Sequence, residues 1–214
     1  PALPYNLTVL QSEMNKKYGY SMSKTLEITQ NLRDKYKAIS YNRSDCRYLK
    51  MEHYKEASEV FRTIIGGEIL EEYELDFSIQ SKCFNDSNVS AHHAIIPLAT
   101  NVPLDKFTEE EKNVYYAICL QYAMQFLPSA QNAVSISKFI VEDGSHKHEC
   151  VYQIKENVNP GFLKYFKQRP KKNGVFLEAG NYTGTVFGYQ VEEKETKPLK
   201  PYTEGTLWPI FVNM

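Results

Sequence analysis

Tyr41 and Arg43 stand two residues apart in Ile39-Ser40-Tyr41-Asn42-Arg43-Ser44-Asp45-Cys46, pairing a potential nucleophile with a permanent cation. Side chains on an extended segment repeat every two residues, so the phenol and the guanidinium would share a face. A phenol with a pKa of about 10 is a poor nucleophile at neutral pH. A cation beside it stabilises both the phenolate and the charge that gathers on a phosphorus under attack. Arginine suits this better than lysine, because its planar fork grips two phosphate oxygens and keeps its charge. With 16 tyrosines in the chain, chance occurrences are expected, and a Y-x-R triplet taken alone reads as ordinary structure. A second cluster, Ser90-Ala91-His92-His93-Ala94-Ile95-Ile96-Pro97, offers adjacent imidazoles. Sequence neighbours rarely converge on one metal ion, and no carboxylate or cysteine lies within the run, so hydrogen bonding is the plainer role. A third, His146-x-His148, falls beside Asp143 and Gly144 in a predicted turn and reads as exposed loop.

The chain that must position these groups has 214 residues, 42% hydrophobic and 24% charged, the balance of a folded globular protein. Its longest mostly apolar run, residues 114–127, is broken by two glutamines, which argues against a membrane span. The first residues, Pro1-Ala2-Leu3-Pro4-Tyr5, carry no basic leader and no initiator Met, so the expectation is a piece of a longer polypeptide. Cysteines 46, 83, 119 and 150 are scattered without a C-x-x-C pair, as expected for reduced thiols in a cytosolic protein. The formal net charge of −1 hides a division. Residues 14–50 hold nine Lys/Arg against three acids, whereas residues 52–76 hold eight acids against two bases. A local basic segment is what phosphate binding needs; two solvated helix faces of opposite sign would look the same.

Periodicity gives the elements. Leu7, Leu10, Met14 and Tyr18 recur at helical steps and stop at Gly19. Ser21 or Ser23 then caps a second helix reaching about residue 36, which makes a helix-turn-helix pattern. Residues 38–41 are short and β-capable. A third helix fits 52–65, closed by Gly66-Gly67, and residues 76–101 are irregular around the apolar run 94–96. Thr108-Glu109-Glu110-Glu111 is a capping box that opens a helix to about residue 126, with Val114, Ile118 and Tyr122 as core. From Ala133 the period falls to two, and 142–145 turns the chain into a partner strand at 150–154. A further β-like run spans 185–191. The expected fold is α+β: a helical module with a helix-turn-helix over residues 1–128 bearing Tyr41, then a β-rich module over residues 129–214.

Together the first two clusters carry a resemblance that neither has alone. Ile39 to Leu49 resembles the active-site segment of type IA DNA topoisomerases, [IL]-[ST]-Y-x-R-[ST]-D-[SC]. Ser90 to Pro97 resembles the S-A-H-H-A-I-I-P signature of the topoisomerase III branch. Pro4-Tyr5-Asn6-Leu7 through Leu10-Gln11 is similar to the helix that opens the tyrosine domain. Lys197-Pro198 to Tyr202-Thr203-Glu204-Gly205-Thr206-Leu207 is similar to the stretch returning to the central domain. Leu199 stands where a proline is usual, and Trp208-Pro209-Ile210-Phe211 departs from the common helix start.

The resemblance implies that Tyr41 attacks single-stranded DNA to form a transient 5′-phosphotyrosine, reversed without ATP. It implies that Arg43 braces the scissile phosphate, that His92, with His93 beside it, contacts DNA there, and that Asp45 orients the histidine and favours its imidazolium form. Ser44, Gln11 and Lys82 are further candidate DNA contacts. It implies a winged-helix-like form for the first module and a β-rich arch for the second, magnesium in the full-length enzyme, the remaining metal-binding and central domains as partners, and a cytoplasmic, nucleoid-associated site of action. The family's acidic cluster, Asp-x-Asp-x-x-x-Glu, does not occur here, so the ion's ligands are expected outside this chain and the fragment alone is expected to be inactive. The alternative from another class is a non-catalytic helix-turn-helix module that reads duplex DNA.

Overall fold

The computed structural model describes residues 1–65, 73–143, 145–165, 178, 180–185, 188, 190 and 192–212. Two units divide the chain: residues 1–128 together with 201–214, and residues 129–200. Residues 201–212, expected with the rest of 129–214 in the second module, pack instead with the first unit.

In the first unit, α1 (Leu7–Tyr18) starts at Asn6, whose side chain accepts from Val9 N. It ends at Gly19, which sits at φ 73, the left-handed turn that only glycine adopts without strain. After that tight turn Ser21 caps α2 (Met22–Asp34), accepting from Lys24 N at 3.1 Å. A third helix, α3 (Met51–Ile65), starts one residue ahead of its predicted range; the expected Gly66-Gly67 stop lies outside the described residues. The capping box forms as read: Glu111 N donates to Thr108 Oγ1 and Thr108 N donates to the Glu111 carboxylate. It opens α4 (Glu109–Ala123), whose last expected turn, Met124–Phe126, tightens to a 3-10 turn.

Leu10 and Met14 of α1, Ile28 and Leu32 of α2, Phe61 of α3, and Val114, Ile118 and Tyr122 of α4 are buried in one core with Ile39, Leu49, Ile95 and Ile96. Phe61, Tyr122 and Phe126 meet with ring centroids 5.1 to 5.5 Å apart. Burying a large apolar side chain stabilises by about 1.5–3 kcal/mol, so this cluster anchors α3 to α4. Residues 38–40 form no sheet, only an isolated antiparallel bridge between Ile39 and Pro97; Tyr5 bridges Ile95 in the same way.

A final helix, α5 (Glu204–Val212), belongs to this unit and docks on α1. Ser12 Oγ donates to Gly205 O at 2.6 Å, Gly205 N donates to Asn15 Oδ1 at 3.2 Å, and Glu204 accepts from Met22 N at the start of α2. The Thr-Glu-Gly-Thr stretch therefore clasps the two opening helices. The second unit contains β1 (Gln131–Asp143) and β2 (His146–Asn159), paired antiparallel with Ser137 opposite Tyr152. His146 and His148 lie on β2 rather than in a loop, and both are exposed. Gly144 and much of the 185–191 run lie outside the described residues. Among the described residues no helix is long and apolar enough to cross a membrane.

A Cβ added at Gly205 would fall 2.5 Å from Asn15 Oδ1 and 2.8 Å from Asn15 Cβ, and the nearer part of that side chain cannot swing clear. Gly205→Ala is expected to lower stability by about 1–3 kcal/mol in urea unfolding; an unchanged midpoint would show that α5 does not depend on this close approach.

Candidate active site

One hydroxyl brings the two motifs together. Ser40, 7% exposed, donates from Oγ to Ala94 O at 3.1 Å and accepts from Ile96 N at 3.0 Å, while its own N–H donates to Ile96 O at 2.9 Å. Leu98 N donates to Ala38 O at 3.0 Å, continuing the antiparallel pairing. The segment after Ala94 is held from other sides too, by Tyr48 O accepting from Ala94 N and Tyr5 O accepting from Ile95 N. Tyr41 follows Ser40 and the histidines precede Ala94, so both reach the same rim of this pairing. The rings of Tyr41 and His92 lie with centroids 4.1 Å apart at 32°.

The loop after Tyr41 is laid on α2. Asn42 is fully buried, and its amide donates to Thr29 Oγ1 at 3.1 Å and to Gln30 Oε1 at 3.4 Å. Asn42 Oδ1 is buried and has no hydrogen-bond partner. One turn along α2 from Thr29, the Arg33 guanidinium lies over the Tyr41 ring, 4.5 Å from its centroid. Leu7 N donates to Ser44 O and Asn6 Nδ2 to Asp45 O, which pins the far end of the loop to the start of α1. Tyr41 is half-buried, unlike Tyr5, Tyr115 and Tyr122, whose phenols burial pushes well above the ordinary tyrosine range. Those three remain protonated structural groups. Burial likewise pushes the Cys83 thiol up to about 11, out of the range of a reactive thiolate.

Tyr41 and His92 are thus brought into contact. Arg43 is exposed and, among the described residues, makes no hydrogen bond or ion pair, which leaves its fork open. His93 points the other way: its ring meets that of His53 at 4.2 Å and its Nδ1 lies 2.8 Å from Ala94 O. A carbonyl only accepts, so Nδ1 carries the proton. Burial, and then the neighbouring His53, lowers the His93 pKa and holds it neutral. Asp45 is exposed, and among the described residues no hydrogen bond or ion pair joins it to either histidine, so the expected carboxylate–imidazole pair is not formed here. Ser44, 1% exposed, uses its hydroxyl locally as acceptor from Cys46 N. Gln11, 7% exposed, donates its amide to Met22 O at 2.9 Å and so holds α1 to α2. Lys82 is exposed in a turn whose bonds run to Leu49 and Gln125, and no ring contact, ion pair or hydrogen bond links it to Tyr41 among the described residues. Sequence reasoning missed Arg33 and Asn42. The spacing of Thr29 and Arg33, four apart on a helix, was the available signal for both.

A family model for DNA topoisomerase matches residues 1–210. The chain belongs to the DNA topoisomerase family. It is 39% identical over 213 residues to DNA topoisomerase 3 of Vibrio cholerae and 33% identical over 223 residues to that of Pasteurella multocida. Each alignment takes in 96% of this chain but 32% of the relative, so the chain spans about a third of the length of the curated relatives it matches. The resemblance to the topoisomerase III branch of the type IA enzymes therefore extends well beyond the four motifs. The solved structure of full-length topoisomerase I from Thermotoga maritima superposes with a TM-score of 0.65 at 22% identity, covering all of this chain and 35% of that one. That likeness shows the fold: a mixed helical architecture with a small antiparallel sheet. Type IA topoisomerases use magnesium in general. Among the described residues no group of three or more His, Cys, Asp or Glu could hold a metal.

Two outcomes follow for this topoisomerase segment. Ser40→Ala leaves the buried Ile96 N–H without its acceptor and is expected to cost about 1–3 kcal/mol of stability, read as a shift in thermal unfolding. Because His93 is held neutral below its ordinary value of 6.5, its stabilisation is complete above that pH and is lost as pH falls below it. Urea midpoints between pH 7.5 and 5 are expected to decline less steeply in His93→Asn; identical slopes would show that His93 does not drive the acid loss.

Proposed function

We propose that this chain is the nucleophile-bearing part of a type IA DNA topoisomerase, with Tyr41 cleaving and rejoining one strand of single-stranded DNA. The observation that carries the proposal is the contact between Tyr41 and His92 at a half-exposed rim, with two arginines at hand. A groove-reading module would have no use for that grouping, which is why the non-catalytic alternative is set aside.

In this reading the Tyr41 phenolic oxygen attacks a phosphodiester phosphorus. The new O–P bond forms as the bond to the 3′ oxygen breaks, the phenolic proton leaves, and the departing oxygen is protonated to a 3′-hydroxyl. The 5′-phosphotyrosine stores the energy of the broken bond, so attack by that hydroxyl reseals the strand with no external energy source. Arg43 is assigned the scissile phosphate, which its open guanidinium fork can grip bidentately. His92, exposed on its outer side, is assigned a neighbouring phosphate oxygen. Asp45 and Lys82 remain candidates for DNA contact from exposed positions. The burial of Ser44 and Gln11 supports an indirect part for them, holding the loop and the first helix. His93 is assigned to the support of His92, since its own donor is committed to Ala94.

The same reading makes the first unit a winged-helix-like tyrosine domain and the second part of an arch. The metal-binding and central domains of the longer polypeptide would be the partners. Magnesium would be held by residues of those domains. Action on chromosomal DNA would make the protein cytoplasmic and nucleoid-associated.

A suicide oligonucleotide that loses its 3′ fragment after cleavage tests the proposal. With the full-length protein, Tyr41→Phe is expected to abolish the covalent adduct while changing DNA affinity less than about threefold. Continued adduct formation would remove Tyr41 from the role. The 214-residue chain alone is expected to give little or no adduct, and magnesium-dependent relaxation of plasmid by it would contradict the division of labour.

A further inference from the structure

Arg33 stands in the last turn of α2, where a cation is favoured anyway by the helix dipole. A residue serving only that purpose would lean on the terminal carbonyls or reach into solvent. Arg33 instead places its guanidinium carbon over the Tyr41 ring, 4.5 Å from the centroid, and among the described residues its side chain makes no hydrogen bond or ion pair. Its place there is built by other contacts. Asn42 fastens the loop to Thr29 and Gln30, and Thr29 and Arg33 lie on one stripe of α2. Residues 41 and 42 are therefore laid along a single helix face, with the amide bonds fixing the register that puts the guanidinium on the ring. Gln30 is itself tethered to Asp34, so the Asp34 carboxylate, the acid nearest along the helix, is already engaged. The charged and titratable groups placed at the Tyr41 ring are Arg33 from α2 and His92 from the opposite segment, with Arg43 two residues along the loop.

We infer that Arg33 is a positioning residue for the cleavage reaction, acting through Tyr41 by stacking on its ring and supplying positive charge to it. The inference rests on the reading of Tyr41 as nucleophile. As the phenol gives up its proton to attack phosphorus, negative charge grows on the oxygen and spreads into the ring, where a stacked guanidinium opposes it directly. The same stack restrains the ring once it is esterified, keeping the phosphorus in line for the returning 3′-hydroxyl. Arg43 is exposed and, among the described residues, makes no contact with the Tyr41 ring, which leaves its fork for the phosphate. The two arginines divide the work, one on the nucleophile and one on the electrophile.

The test is single-turnover adduct formation by the full-length protein at saturating suicide oligonucleotide, with Arg33→Met and Arg33→Lys beside Tyr41→Phe. A cation–π contact of this kind corresponds to about a 3- to 30-fold effect on rate. Arg33→Met is expected to slow cleavage, and religation of the trapped adduct by the returning strand, by that factor. The DNA Kd and the thermal midpoint should stay near wild type, and Arg33→Lys should recover part of the rate because it keeps the charge without the planar stack. A wild-type rate at saturation with a weaker Kd would make Arg33 a phosphate contact only and overturn the inference. So would a loss of rate that follows the loss of folded protein and is not recovered by lysine. If Tyr41→Phe still forms adduct, the reading of the nucleophile itself fails. If it does not, while Arg33→Met cleaves at full rate, only the inference about Arg33 fails.

Discussion

The hydroxyl of Ser40 is the constraint on which the site depends. Two segments more than fifty residues apart in sequence meet because this one side chain donates to Ala94 O and accepts from Ile96 N, both at hydrogen-bond length. The bonds are made out of reach of water, where a lost partner leaves a bare backbone group and costs more than the bond itself contributes. Neighbouring backbone pairs to Tyr5, Tyr48 and Ala38 complete the pinning, so the relative position of residue 41 and residue 92 is set by a rigid floor. Tyr41 and His92 then extend from its edge.

Around that floor, the polar side chains fall into two populations. Buried ones are committed: Asn42 to α2, Gln11 to the start of α2, and Ser44 to its own loop. The Cys83 thiol and three buried phenols are held in their protonated forms by loss of solvation. Among the described residues the Tyr41 phenol and the Arg43 fork make no hydrogen bond, and His92 is exposed beside the tyrosine ring. The unpaired Asn42 Oδ1 is the exception, a buried acceptor on the residue after Tyr41 whose donor the described residues do not supply.

Much of this architecture could be read from the chain alone, for local reasons. The Gly19 stop, the Ser21 cap, the Thr108–Glu111 box and the alternation through β1 are short-range signals whose physics is complete within a few residues. The two motifs were readable as motifs, and their meeting followed from the family likeness. What could not be read was long-range. Nothing local marks residues 201–212 as returning to α1, since the clasp depends on the close approach of Gly205 to Asn15 across nearly the whole sequence. Arg33 looked like a helix-face residue because only the tertiary position of Tyr41 gives it a ring to lie on. The expected pairing of Asp45 with a histidine failed for a similar reason. Asn6 holds Asp45 by its backbone carbonyl, and the carboxylate stays in solvent.

Family membership fixes the class of protein, and Tyr41 is the phenol whose ring lies against His92 and under Arg33. The most direct measurement is the chemical identity of the protein–DNA bond. A trapped adduct of the full-length protein, digested with trypsin and nuclease, is expected to yield the peptide Ala38-Ile39-Ser40-Tyr41-Asn42-Arg43 carrying a nucleotide through its 5′-phosphate on the tyrosine. A nucleotide found on any other residue, or joined through a 3′-phosphate, would contradict the assignment of Tyr41 and the site built around it.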